Sequence, residues 1–153
     1  MNENAERLYG KLRRTLPLPH TERQSDLQAL LEVKDSFCLY SVERNGASTL
    51  LRDFAARKGA LYLDAMEGGI NTPADLDTCV GESPFILDET STFFRRSGYQ
   101  EALRTLAKYA QTRQVGVRLH VDKDEAIVSD LSGHGFATVH MGKMPYAEWN
   151  PSL

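Results

Sequence analysis

The chain has no long apolar run, no cysteine cluster and no strong charge of either sign. No stretch approaches the ~18 apolar residues of a membrane-spanning helix, so no membrane role is expected. The two cysteines, Cys38 and Cys79, lie far apart, and no CxxC or Cys/His cluster suggests zinc. No two histidines have the i,i+4 spacing of a helical metal site. The opening Met-Asn-Glu-Asn-Ala-Glu is polar and acidic and lacks the apolar segment of a secretory signal, so a cytoplasmic chain is expected. A net charge of −3 gives no overall basic footprint for nucleic acid. Twelve of the 18 basic residues are arginine, so a local patch stays open, with Arg13, Arg14, Arg95, Arg96, Arg104, Lys108 and Arg113 as its candidates.

What is present is ordinary in amount and informative in order. At 153 residues, with 41% apolar and 25% charged residues, the chain has the size and composition of one soluble domain around a single core. Residues 3–15 have helix-forming composition with a Leu8, Leu12 pair. Leu16-Pro-Leu-Pro-His20 is expected to break that helix, because each proline pushes its predecessor out of the α region. Leu27, Leu30 and Leu31 then mark a short amphipathic helix. Residues 1–36 thus read as a helical arm and 37–153 as the core.

From residue 37 short apolar strands alternate with helical patterns. Strands are expected at Phe37–Val42, Ala60–Met66, Pro84–Asp88, Val115–Val121 and Phe136–Met141. Between them lie helices at Ala47–Lys58, Ala74–Val80, roughly Gly98–Arg113 and about Asp124–Leu131. Gly59 stops the first of these, and Thr72 and Pro73 start the second as N-cap and N1. Five strands with four intervening helices predict an α/β three-layer sandwich with a mostly parallel five-stranded sheet. Ligands in such sheets bind at the carboxyl ends of the strands. The residues of chemical interest fall there: the loop at 43–49, Asp64, Asp88 with Glu89, and His120 with Asp122.

A phosphate-binding loop reads G-x-x-x-x-G-K-[ST]. Here the segment from Ser41 is Ser-Val-Glu-Arg-Asn-Gly-Ala-Ser-Thr. Gly46 matches the second glycine and Ser48 the hydroxyl, while Ser41 replaces the first glycine and Ala47 the lysine. Arg44, Asn45, Gly46, Ser48 and Thr49 are the candidate phosphate-binding residues, with Arg44 as a partial substitute for the missing cation. A plain strand-to-helix turn at Asn45-Gly46 is the other reading. Asp88 and Glu89 end an apolar strand, and two adjacent buried carboxylates need a cation or a hydrogen-bond network. In a functional reading Asp88 holds the metal through water and Glu89 orients the attacking water. In the plain one they are solvated acids at a strand end. His120 is either a γ-phosphate sensor or a partly buried, hydrogen-bonded histidine. Arg95 and Arg96, opening a long helix, are an anion contact or a solvated face.

In the order of these segments the chain resembles the P-loop NTPase superfamily, in particular ABC- and AAA-type ATPase cores. Asn45–Arg52 resembles the phosphate loop and Ile86-Leu-Asp-Glu-Thr-Ser91 the Mg²⁺/water strand. His120–Ala126 resembles the switch region, and Val139–Met144 the last core strand. The resemblance covers about residues 37–144 and implies a P-loop NTPase-like sheet. The departures imply a degenerate member. The lysine is absent, and the stretch between the second and third strands is too short for an ABC helical subdomain. Loss of the lysine removes much of the electrostatics on which phosphoryl transfer depends. The resemblance therefore implies a non-hydrolysing protein that binds either no nucleotide or ATP-Mg. It would act as a regulatory or inhibitory module on a protein partner such as an active ATPase.

Residues 94–137 also resemble the second half of GNAT acyltransferases. Arg95-Arg-Ser-Gly98-Tyr-Gln100 is similar to the loop that holds the acyl-CoA pyrophosphate, although Gln100 replaces the usual Gly/Ala and Leu131 stands where a tyrosine is often found. That alternative implies an acetyl-CoA-dependent N-acyltransferase with an antiparallel meander in its first half. The helix expected at Ala47–Lys58 argues against it.

Overall fold

The alternation of apolar strands and helices closes into one parallel sheet. The computed structural model describes residues 17–42 and 46–141. The helix expected at 3–15, with Arg13 and Arg14, lies outside them, as do Arg44, Asn45 and Lys143. The strands are β1 (Phe37–Ser41), β2 (Leu61–Asp64), β3 (Phe85–Asp88), β4 (Val115–His120) and β5 (Ala137–His140). Their order across the sheet is β2-β3-β4-β1-β5, and every neighbouring pair is parallel. The helices are α1 (Pro17–Leu31), α2 (Ala47–Lys58), α3 (Pro73–Val80), α4 (Thr90–Ser97), α5 (Tyr99–Ala110) and α6 (Glu125–Ser132).

Side chains alternate across each strand, so every strand feeds two layers. Cys38, Phe85, Leu87, Val115, Val117 and Leu119 face a core closed by α3, α4, α5 and α6, through residues such as Leu76, Phe93, Leu106 and Leu131. Phe37, Leu39 and Ile86 face the other way, onto Leu50, Leu51 and Phe54 of α2 and Leu27 and Leu30 of α1. A fully buried leucine or phenylalanine stabilises such a layer by about 1.5–3 kcal/mol. Burial pushes the Cys38 thiol up to about 12, as suits an inert core residue.

Two features of the helices differ from expectation. The segment Pro17–His20 is itself helical, as the start of α1, with Pro17 and Pro19 in its first turn. Proline is tolerated there because first-turn N–H groups have no intrahelical partner. The second difference is α4, absent from the sequence reading. Arg95 and Arg96 close this helix instead of opening a longer one, and Gly98, at φ 93°, separates α4 from α5. Arg95 donates to Thr92 and Arg96 to Asn71, so both are tied to nearby structure. The caps of α2 and α3 are as expected: Gly59 is left-handed after α2, and Thr72 forms a reciprocal capping box with Asp75 ahead of Pro73.

The connections place the cleft. The chain leaves β1 toward β2 across the α2 face, and leaves β4 toward β5 across the α6 face. Neighbouring strands β1 and β4 thus send their chains to opposite sides, which opens a crevice outside their carboxyl ends. Ser41 and His120, paired in register, stand at that point. An acyltransferase meander would need antiparallel neighbours early in the chain, and this sheet has none among the described residues.

Candidate functional site

The α2 face of the sheet changes character within two residues. On β1 it runs from Leu39 to Ser41, on β2 from Tyr62 to Asp64, on β3 from Ile86 to Asp88 and on β4 from Gly116 to Arg118. Period-two alternation puts each pair on one face, so the polar residues form a row at the carboxyl ends. α2 covers this row, bringing Ser48 and Arg52 against it.

Asp88 is the centre of the row and is 0% exposed. Its Oδ1 accepts from the Glu89 N–H at 2.8 Å and from Arg118 Nη1 at 3.5 Å. Its Oδ2 accepts from the Tyr62 hydroxyl. Arg118 Nη1 also lies 3.3 Å from Ser48 Oγ and 3.8 Å from Glu89 Oε1. The Arg52 guanidinium stacks 4.5 Å from the centre of the Tyr62 ring. Burial of Tyr62 and the neighbouring Asp88 charge both disfavour its phenolate, keeping the hydroxyl a donor. The backbone around Arg118 is fixed as well. Its N–H donates to Thr90 Oγ1, and that hydroxyl donates to the Leu87 carbonyl.

Glu89 joins β3 to α4 in a left-handed conformation, φ 56° and ψ 43°. A non-glycine residue is seldom found there, and the position is strained. Burial raises its carboxyl above the ordinary glutamate value and Asp88 raises it further, against the pull of Arg118; Asp64 adds to the rise and His120 opposes it. Asp64 is likewise raised, first by burial and then by Asp88. Its Oδ1 accepts the N–H groups of Met66 and Glu67 at 2.9 Å each, so Asp64 shapes the turn after β2.

The structure brings together Ser48, Asp88 and Glu89 among the expected site residues, all around Arg118. Gly46 heads α2 at φ 87°, a conformation that favours glycine, and its carbonyl accepts from Leu50. Ala47, at the lysine position, is 1% exposed. Thr49 is half-buried in the first turn of α2. His120 is held at the end of β4, where its N–H donates to Asp124 Oδ2 at 2.9 Å. The Nδ1 atom of His120 and the hydroxyl of Ser41 are buried without a hydrogen-bond partner among the described residues.

Arg118 and Tyr62 were not singled out from the sequence. For Arg118 a signal was there: an arginine in the middle of Val115-Gly-Val-Arg-Leu-His is fully buried only when paired. Nothing in Leu61-Tyr-Leu-Asp64 named a partner for Tyr62.

No protein-family model matches the chain, and no curated protein matches it. Among solved structures it is similar to the Aeropyrum pernix ORC1 protein in complex with DNA, with 15% identity and a TM-score of 0.53. The likeness covers 85% of this chain and 47% of that one, so the chain spans about half the length of that protein. At such low identity the likeness shows the fold alone. That fold is the expected P-loop NTPase-like α/β sandwich, with its sheet parallel throughout.

Proposed function

We propose that this chain is a degenerate, non-hydrolysing P-loop NTPase-like module that acts by binding another protein, in a regulatory or inhibitory role. One observation carries the reading. Where the loop would present its lysine to a polyphosphate, it has Ala47, a methyl group buried under the start of α2. Phosphoryl transfer relies on positioned charge rather than on covalent chemistry, so a site without that charge loses most of its catalytic power. The committed Asp88 carboxylate points the same way.

A module that keeps the shape of an ATPase core can offer that shape to an active ATPase. Val42 and Met66, beyond the carboxyl ends of β1 and β2, are exposed apolar side chains on the rim such a partner would meet. DNA belongs to the complex of the structural neighbour. For this chain the net charge of −3 gives it no support.

The test is phosphate release from ATP-Mg and GTP-Mg, beside melting temperatures with each nucleotide and with acetyl-CoA. A ligand that binds the native state raises the melting temperature by mass action. The expected result is no turnover above buffer, and a change in the turnover of a co-expressed P-loop ATPase when the chain is added. Steady hydrolysis that disappears in Glu89→Gln would overturn the reading. A response to acetyl-CoA alone would favour acyl transfer instead.

A further inference from the structure

A P-loop site offers Mg²⁺ the loop hydroxyl and the strand-end aspartate. The matching pair here is Ser48 and Asp88, and a guanidinium lies between them. Arg118 Nη1 stands 3.3 Å from Ser48 Oγ, 3.5 Å from Asp88 Oδ1 and 3.8 Å from Glu89 Oε1. The oxygens that a metal ion would gather are gathered around one nitrogen. Mg²⁺ requires a near-octahedral oxygen shell at about 2.0–2.1 Å. A fixed positive group in the same gap opposes that shell by charge and by volume. The pair as arranged does not fit the ion.

We propose that Arg118 takes the place of the divalent cation, as a tethered positive charge that neutralises Asp88 and Glu89 and excludes metal from the site. The proposal rests on the reading of the loop and of β3 as a nucleotide-site remnant, and it specifies how that remnant is closed. Arg118 suits the part. It rises from a central strand, is 8% exposed, and has its backbone pinned to Thr90. The second oxygen of Asp88 is held by Tyr62, so the carboxylate cannot turn away from the arginine without breaking another bond.

The test uses Mn²⁺ as a paramagnetic probe on the intact, ¹⁵N-labelled chain. In the wild type the amide signals of Ser48, Asp88 and Glu89 are expected to stay sharp while exposed surface carboxylates broaden. In Arg118→Gln those three signals should broaden at low Mn²⁺, with an affinity gain of at least about tenfold. The melting temperature of that variant should also rise with Mn²⁺ or Mg²⁺. The double variant Arg118→Gln/Asp88→Asn should lose the metal response and regain stability relative to the single one. If Arg118→Gln folds only with metal present, the proposal is supported in its strongest form. Selective broadening of Ser48 and Asp88 in the wild type would overturn it, whatever the variants do. So would a folded Arg118→Gln that gains no metal affinity. Metal binding by the wild type without turnover would sink this proposal alone, whereas nucleotide turnover would sink the non-hydrolysing reading.

Discussion

The two ends of the sheet face beneath α2 are built from the same strands and differ in almost every physical respect. At the amino end Phe37, Ile86 and Gly116 meet Phe54 in a dry, close-packed layer. At the carboxyl end, two residues further along β3 and β4, Asp88 and Arg118 join Ser48 in a charged network. The first end is stabilised by area removed from water, which tolerates small rearrangements. The second depends on mutual satisfaction, and each member that loses its partner is left buried and unpaired. The fold rests on one end, and whatever chemistry or recognition it carries is assigned to the other.

The largest expected effect is at the amino end. Phe54 packs edge-on to Phe37 with ring centroids 5.2 Å apart and is 1% exposed. Phe54→Ala should cost about 3–5 kcal/mol in urea unfolding, from lost transfer energy and the cavity left behind. A loss below about 1 kcal/mol would mean that this end is not the stabilising one. Gly116→Ala asks the same question by overfilling. A Cβ there would come within 2.5 Å of both Ile86 Cδ1 and Phe37 Cζ. Both side chains are buried, Phe37 at 0% and Ile86 at 1% exposed, so the substitution should cost about 1–3 kcal/mol. A neutral result would show slack in the layer.

The amino end was legible in the sequence and the carboxyl end only in part. Apolar strands between helical patterns gave the parallel sheet, because burial on both faces leaves a continuous apolar run such as Phe85-Ile-Leu87. Asp88 and Glu89 were legible as a pair because adjacent acids after such a run are unusual. Their partner was not. Arg118 lies 30 residues from Asp88 and 70 from Ser48, and only the strand order makes them neighbours. The helix α4 was missed for a local reason. Thr90-Ser-Thr-Phe-Phe-Arg-Arg-Ser is poor in strong helix formers, and packing of Phe93 and Phe94 into the core outweighs that propensity. Its start is also unusual, since the chain turns from β3 through the left-handed Glu89 without a separate loop.

The polar end can be probed with a single oxygen atom. Tyr62→Phe removes the hydroxyl that donates to Asp88 Oδ2 and keeps the ring under Arg52. Asp88 would retain the Glu89 N–H and Arg118, so the expected loss is about 1–2 kcal/mol, smaller than the aromatic deletion. The same substitution should act through Asp88, so in an Asp88→Asn background its cost should shrink. A cost unchanged in that background would show that the hydroxyl works independently of the carboxylate, and the network would reduce to separate contacts.

The smallest effect should run in the opposite direction. Glu89 opposes folding in two ways, by its left-handed backbone and by a carboxyl raised above its unfolded value through burial and Asp88. For an acid raised in this way, folding favours the protonated form. The stability gained from protonation is complete below the unfolded value and is lost as pH climbs through the folded one. Near pH 7 the ionised Glu89 is therefore a net cost, even with Arg118 3.8 Å away. Glu89→Gln, which copies the protonated shape, should stabilise the chain there by less than about 1 kcal/mol. The gain should fade as pH drops through the raised folded value and be gone below the ordinary glutamate value, about 4.3. Melting temperatures of both proteins across pH 3–8 read this directly. A variant less stable than wild type at pH 7 would mean that the Arg118–Glu89 pair outweighs burial and repulsion. Glu89 would then belong to the stabilising side of the comparison, and its strained backbone would have a structural justification.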